Sequence, residues 1–497
     1  MKKHTINQKF LLIPANPTPN GELHLGHISG PYLRADIFKR YVITRGGEAK
    51  MIFGTDAFDP YVSRQASLVN KTPKEVANEN FEKIKTNLKE MNISFDLLIN
   101  PIDDEFYEKY RDIHIKEIEF LLNLNKAELK TEQLPYDVKE NIFITGADLE
   151  GTCKHCKNSL RGTTCENCGM HFMPEDILDV KYSEKIITDK LAFDNYFLKN
   201  INGDDVLKIV LPFCGNERFK NIPKTHCKKP WHRLTTYANW GLVFDKNRRI
   251  ISSGHLYTYS LLAGDYYKEM YSESKHPYHV DSNVKVISFF GFDNIMSHLI
   301  GKAEMSACKE DYKLGEGFVM NHFYNLEGEK FSTSRNHVIW VRDIVKSSNV
   351  YEIRYYLAST SPSNSNTNFS AEEFKLIIKN EISEISKTVD ETFKKLENSY
   401  GDVSLELINK FENILELQKV ALDYLNFLPE NLNEAFMLWL KTSEKLKTRG
   451  DFLFWLEGMA VLIYPIMTET GQNIWNQLKK EGVPNILAIN GLKVEVL

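Results

Sequence analysis

The sequence predicts an α/β protein: a doubly wound parallel sheet, interrupted by an insertion and followed by a C-terminal α-helical bundle. Three observations carry this reading. Apolar strand-like runs at residues 9–13, 50–53 and 284–290 alternate with helical patterns, as expected when helices cover both faces of a parallel sheet. Two closely spaced cysteine pairs break the alternation, and helical periodicity dominates after Phe374.

The first run, Lys9-Phe10-Leu11-Leu12-Ile13, reads as a short buried strand, and residues 28–45 read as a helix. Between them, Pro19-Asn20-Gly21-Glu22-Leu23-His24-Leu25-Gly26-His27 sets two imidazoles and two glycines where strand gives way to helix. Backbone N–H groups at a helix start favour anions, and a glycine lets the chain approach a nucleotide closely. Two histidines three apart can donate hydrogen bonds to charge developing on a phosphate. Taken alone, the same residues equally describe a helix start whose histidines cap. Lys50-Met51-Ile52-Phe53 is a second short strand leading to Asp56. Thr72-Pro73-Lys74-Glu75 forms a capping box with proline at the first helical position, and Phe81, Ile84, Leu88 and Met91 continue one apolar face. Ligands of such sheets bind beyond the carboxyl ends of the strands near a topological switch point, so His27 and Asp56, each following a strand, can converge there.

Residues 116–231 read as an insertion. Within it Cys153-x2-Cys156 and Cys165-x2-Cys168 have the spacing of a structural zinc knuckle. Four thiolates complete a tetrahedral zinc site and leave no open position, so the metal is expected to be structural. Lys154, Lys157 and Arg161 would soften its negative charge. Two disulfides are disfavoured because the chain carries no secretory signal and intracellular thiols stay reduced; a nucleic-acid-binding zinc ribbon is the rival. Strands resume at residues 284–290, and Phe318-Val319-Met320 precedes Gly328-Glu329-Lys330-Phe331-Ser332-Thr333-Ser334-Arg335. The polar Asn364-Ser365-Asn366-Thr367-Asn368 marks a boundary before the bundle, where Ile408, Phe411, Leu415, Leu422 and Leu425 fall on one stripe and residues 452–463 form an apolar helical run.

Composition agrees with a large globular protein. The 497 residues suggest two to four domains, and 42% hydrophobic with 26% charged residues is ordinary. No apolar run reaches bilayer-spanning length, so a cytoplasmic protein without a membrane partner is expected. A formal charge of −5 gives no global attraction to nucleic acid, and any such contact must use local basic patches. Of the seven cysteines, Cys214, Cys227 and Cys308 lie outside the knuckle and read as small apolar residues.

The pairing of His24-Leu25-Gly26-His27 with Lys330-Phe331-Ser332-Thr333-Ser334 resembles the HIGH and KMSKS signatures of class I aminoacyl-tRNA synthetases, and the cysteine knuckle narrows the resemblance to the methionyl type. Further matches run along most of the chain: residues 34–41, Gly54-Thr55-Asp56, Gly291-x-Asp293, His298, Arg354-Tyr355-Tyr356-Leu357, Tyr464-Pro465-Ile466-Met467, Glu469-Thr470 and Ile474-Trp475. The resemblance implies a Rossmann-like nucleotide-binding domain in two halves, residues 1–115 and 232–325, around the insertion. A KMSKS-like loop and linker at 326–370 and an anticodon-binding-like bundle at 371–497 follow. It implies ATP, Mg2+ and structural Zn2+ as cofactors, an amino acid and tRNA as partners, and a monomer. His24 and His27 would stabilise the phosphates, and Lys330 would contact the triphosphate. Gly26, Gly291, Asp293, Ser332 and Ser334 would hold ATP, with Asp293 on the ribose. Asp56 would receive the substrate ammonium, and His298 would line the amino acid pocket.

The departures from the family pattern are equally specific. Thr333 stands where the family has a lysine that steadies pyrophosphate, so slow or absent adenylation is expected. With Gly264 as anchor, Thr258 and Asp265 replace the tryptophan and tyrosine of the methionine pocket. Either the substrate carries a polar or cationic side chain, or Asp265 faces solvent and an aromatic from Tyr257, Tyr259, Tyr266 and Tyr267 fills the pocket. Phe58, Phe292 and Thr236-Tyr237 replace histidine, lysine and an arginine-aspartate pair. The first bundle helix, at 379–387, keeps only Asn380 of the family's asparagines, and Trp439 and Trp455 are the candidates for anticodon stacking. The expected activity is amino acid activation and transfer to tRNA. A paralogue loading another amino acid onto a carrier or feeding biosynthesis, and a pseudoenzyme that binds tRNA or a partner, are the alternatives.

Overall fold

A computed structural model describes residues 4–139, 142–144, 146–172, 176–182, 187–199, 202–227, 233–250, 252–332 and 336–490. Thr333, Ser334 and Arg335 of the KMSKS-like loop lie outside them. The first half of the chain supplies β1 (Lys9–Pro14), α1 (Leu33–Thr44), β2 (Glu48–Gly54), α2 (Pro73–Glu90), β3 (Leu97–Ile99) and α3 (Asp104–Asn123). The second half adds α4 (Ser252–Met270), β4 (Val284–Gly291) and β5 (Gly317–Asn321). The five strands form one parallel sheet in the order β5-β4-β1-β2-β3. Leu12 of β1 lies opposite Ile287 of β4 and Met51 of β2. The order reverses between β1 and β4, which opens a crevice beyond their carboxyl ends.

The unbroken apolar run of β1 has a direct cause. Phe10 and Leu12 enter one hydrophobic core and Leu11 and Ile13 another, as the two-residue period of a strand covered on both faces requires. Helix α2 starts as its sequence predicts, with Thr72 and Glu75 exchanging hydrogen bonds and proline in the first turn.

The insertion begins later than residue 116, which falls inside α3. It opens with an antiparallel pair, Ala127–Asp137 against Ile187–Leu198, and the cysteine loops lie in a small sheet of Glu150–Thr152, Ser159–Arg161 and Leu178–Lys181. Beyond β5, Tyr324–Leu326 pairs with Glu329–Lys330 and with Thr367–Phe369. Asn368 therefore belongs to a strand rather than to a free linker, because its segment completes this three-stranded sheet. Helix α5 (Val350–Ser359) leads towards the bundle, which includes α6 (Leu405–Ala421) and α7 (Arg449–Ile463). The stripe of α6 ends at Ala421. Leu422 is buried in the following hairpin and Leu425 is exposed at its turn. Trp439 and Trp455 are fully buried, and each indole N–H donates to the other's carbonyl, at 3.1 and 3.0 Å. Both are core residues, out of reach of a base.

A buried ionic knot fastens the bundle to the sheet domain. Asp36 on α1 accepts from Arg40 Nε at 2.8 Å, from Arg354 on α5 at 2.6 Å and from the Ser94 amide at 2.8 Å. Arg354 also donates to the carbonyls of Met91 at 3.1 Å, Pro465 at 3.1 Å and Ile466 at 2.7 Å. Burial alone would push the Asp36 carboxyl up; Arg40 and Arg354 hold it below the usual range instead. Among the described residues no helix is long and apolar enough to cross a membrane.

Candidate active site at the switch point

A cleft of about 700 Å3 opens beyond β1 and β4, and its walls include His24, Gly26, His27, Asp56, Gly291, Asp293, His298, Lys330 and Phe331. The two signature segments, three hundred residues apart, meet there. The His24 ring stacks on His27 at 3.7 Å between centroids and, on the other side, on Phe331 at 4.7 Å with planes 5° apart. A Cβ at Gly26 would meet the His24 ring at 3.0 Å and Phe331 at 3.1 Å, so a side chain there would have to push the stacked rings apart by a few tenths of an ångström. Residues 339–341 run beside the motif: Leu25 N donates to Ile339 O at 3.1 Å and Val341 N to Leu23 O at 3.2 Å. Lys330 Nζ lies 4.4 Å over the Phe323 ring, and Ser332 exchanges backbone hydrogen bonds with His337 at 2.9 Å.

The protonation of the histidines follows from their surroundings. His27 lies at the open face of the cleft, where desolvation by the surrounding walls lowers it to about 4; desolvation and the neighbouring His27 lower the half-buried His24 to about 2, so both are neutral near pH 7. His27 Nδ1 accepts the His24 backbone N–H at 3.3 Å. Its proton therefore sits on Nε2, available as a donor. Among the described residues His24 Nδ1 is buried without a hydrogen-bond partner.

Asp56 follows β2, and its amide donates to Pro17 O at 3.0 Å. Beside it Phe58 packs on Trp240 at 5.6 Å, and the Trp240 indole donates to Ala57 O at 2.8 Å. With Ile250, these rings form an apolar wall of the cleft. His298 is stacked on Phe290 at 5.0 Å, and its buried Nδ1 has no partner among the described residues. Asp293 is half-buried, and the loss of hydration together with the nearby Glu166 raises its carboxyl to about 6.

Two expected pocket residues lie elsewhere. Thr258 is buried in α4 away from the cleft walls, and Asp265 is a partly exposed carboxylate 3.7 Å from His276. Helical geometry turns the Gly264 anchor and its neighbours away from the cleft. Tyr257, Tyr259 and Tyr267 sit in the core behind β1 and β2. The wall is built by Phe58, Trp240, Thr236 and Ile250 instead. Glu166, His171, Arg249 and Phe323 also line the cleft. They come from the insertion and from short segments with no periodic pattern, so only their nearness to Cys165, Trp240 and Lys330 in sequence hints at them.

The cysteines fit zinc. Cys153 and Cys168 Sγ are 3.7 Å apart, Cys156 and Cys165 Sγ 3.6 Å, and all four lie within 4.8 Å of one another. A tetrahedron with zinc–sulfur bonds of about 2.3 Å has edges of about 3.8 Å. The Cys168 thiol, hydrogen-bonded to Cys165, lowers the latter towards the thiolate form that a metal requires, while Cys168 itself is pushed up.

A doubly wound sheet with a switch-point cleft, paired neutral histidines and a lysine-bearing loop stacked over them defines a nucleotide-binding enzyme fold. Residues 10–389 match the family described as tRNA synthetases class I (M), and the chain belongs to it. It is 25% identical over 533 residues to the methionine–tRNA ligase of Pyrococcus horikoshii, covering 96% of this chain and 72% of the relative. It is 26% identical over 524 residues to that of Thermoplasma acidophilum, covering 96% and 92%. The Mycobacterium tuberculosis methionyl-tRNA synthetase in complex with methionyl-adenylate superposes with a TM-score of 0.73 at 15% identity, over 97% of this chain and 96% of that one, which is a likeness of fold.

Proposed function

We propose that this synthetase activates methionine with ATP and transfers the methionyl group to tRNA. The observation that carries the reading is the His24–Phe331 stack, which brings both phosphate-binding segments to one face of the cleft. In the first step a carboxylate oxygen of methionine attacks the α-phosphorus, the bond from that phosphorus to the bridging oxygen breaks, and pyrophosphate leaves. His24 and His27, uncharged, each offer one N–H to the phosphates, and their donors need no reorganisation as charge develops. Gly26 and Gly291 admit the nucleotide, Asp293 accepts from the ribose hydroxyls, and Ser332 flanks the triphosphate that Lys330 contacts. Asp56 receives the ammonium of the amino acid, and His298 closes its pocket.

The apolar wall of Phe58, Trp240 and Ile250 suits a thioether, since sulfur packs favourably against aromatic rings. Thr258 and Asp265, the residues that would favour a polar side chain, are not among the residues lining the cleft. In the second step a terminal ribose hydroxyl of tRNA attacks the acyl carbon and AMP leaves. Magnesium enters with ATP as part of the substrate. Zinc held by Cys153, Cys156, Cys165 and Cys168 supplies a structural cross-link and takes no part in the chemistry. The protein acts as a cytoplasmic monomer on this reading.

The test is ATP–pyrophosphate exchange with each amino acid in turn. Methionine-dependent exchange is expected, at a rate reduced by Thr333. Exchange with another amino acid alone would overturn the choice of substrate, and no exchange with any, tRNA present, would leave a binding protein.

A further inference from the structure

The cysteine loop is also a wall of the nucleotide cleft. After Cys168 the chain turns at Gly169 with φ of +74°, where a Cβ would meet Ile222 at 2.6 Å and the Phe292 ring at 3.2 Å. The turn lies flat on the segment that carries Asp293. Two residues further, His171 Nε2 is 3.0 Å from the carbonyl oxygen of Asp293. A carbonyl only accepts, so Nε2 bears the proton. Nδ1 then accepts from Thr164 Oγ1 at 3.3 Å, and the His171 amide donates to His226 Nε2 at 3.2 Å. Thr164 adjoins Cys165, and the Cys165 amide donates to Met170 O at 2.7 Å, so both ends of the His171 support belong to the cysteine loop. A second tie lies beside the first: Arg218 stacks on Phe292 at 4.0 Å and donates to Asn167 O, between Cys165 and Cys168, at 2.9 Å. The Asp293 carboxylate accepts from the Asn294 amide, at 3.2 Å on Oδ1, and is also held by the backbone N–H of Asp293 itself. Its direction is therefore set chiefly by its backbone.

We infer that His171 is a positioning residue for the nucleotide: its hydrogen bond to the Asp293 carbonyl fixes the aim of that carboxylate at the ribose and links order in the metal-binding loop to ATP affinity. The inference rests on Asp293 being the ribose ligand. It makes the knuckle part of the nucleotide site rather than a remote staple.

The experiment measures equilibrium binding of ATP and of 2′,3′-dideoxy-ATP, together with zinc content, for the full-length wild type, His171→Ala and His171→Gln. His171→Ala is expected to weaken ATP about five- to tenfold, the worth of one hydrogen bond, with dideoxy-ATP affinity and zinc content unchanged. Glutamine, whose amide N–H reaches the same carbonyl, is expected to recover most of the loss. Equal losses for both nucleotides, or no loss for ATP, would overturn the role of His171. A wild type that does not distinguish the two nucleotides overturns the assignment of Asp293 as well. Where His171→Ala does not fold, Thr164→Val carries the test by removing the donor to Nδ1: a smaller loss confined to ATP supports the inference, and unchanged ribose discrimination rejects it.

Discussion

The open switch-point cleft and the buried Asp36–Arg40–Arg354 knot both gather polar groups, yet they are finished differently. In the knot the Asp36 carboxylate and the Arg40 and Arg354 guanidiniums have partners within the protein. In the cleft His24 Nδ1, His298 Nδ1 and Asn321 Oδ1 are buried without one among the described residues. An unmet buried polar atom costs stability, and such atoms gathered on one concave wall mark where a ligand completes the structure. Polarity in the knot fixes how the bundle sits on the sheet; polarity in the cleft is held open for substrate.

Mutations in the two regions should therefore separate stability from activity. The largest effect is expected in the knot. Arg354→Leu leaves Asp36 charged and buried, and unfolding measured by denaturant titration should show a loss of about 3–5 kcal/mol. The pH dependence has a definite sign. A carboxyl held below its unfolded value stabilises the fold above that value, and its contribution is lost as pH falls through the depressed one. Wild-type stability should thus fall on acidification, and an Asp36→Asn variant should lose part of that slope. If Arg354→Leu instead impairs adenylation at unchanged stability, the division between the two regions fails.

In the cleft, His27→Ala removes one preorganised donor. Adenylation in single turnover should slow by about two to three orders of magnitude, while the melting temperature stays near wild type because His27 bonds little besides the His24 amide. A smaller effect is expected from Asp293. Its carboxyl, raised to about 6, begins to take up a proton as pH drops below neutrality. The KM for ATP should rise as pH falls from about 7 to about 5, and Asp293→Asn should flatten that profile. His24 and His27, held at about 2 and about 4, stay neutral over most of this range and leave it unaffected. Thr333→Lys should raise the exchange rate; an unchanged rate would show that position 333 does not limit the enzyme.

How much of this the sequence disclosed differs between the two regions in the same way. The sheet strands, the capped helix at Thr72, the paired histidines at a strand-to-helix turn and the cysteine spacing are legible because each rests on local pattern: period, spacing or turn chemistry; Asp293 and the role of Asp56 come from the family resemblance alone. The pocket wall is not. Phe58 and Trp240 meet across 182 positions of chain, and their contact depends on an antiparallel insertion whose path no periodicity encodes. Thr258 and Asp265 were expected in the cleft from alignment on a single glycine, and a helix offers several registers to such an anchor. Trp439 and Trp455 show the same limit, because burial within a bundle depends on which helices pack together. The knot, too, is invisible locally, with Asp36 and Arg354 318 residues apart.

The most direct test of the account is a crystal structure of the protein with a non-hydrolysable methionyl-adenylate analogue. The account predicts the phosphate replacement within hydrogen-bond distance of His24 and His27, the ribose hydroxyls on Asp293, the ammonium on Asp56 and the thioether against Phe58 and Trp240. An analogue bound away from His24 and His27, or with its side chain directed towards Thr258 and Asp265, would contradict it.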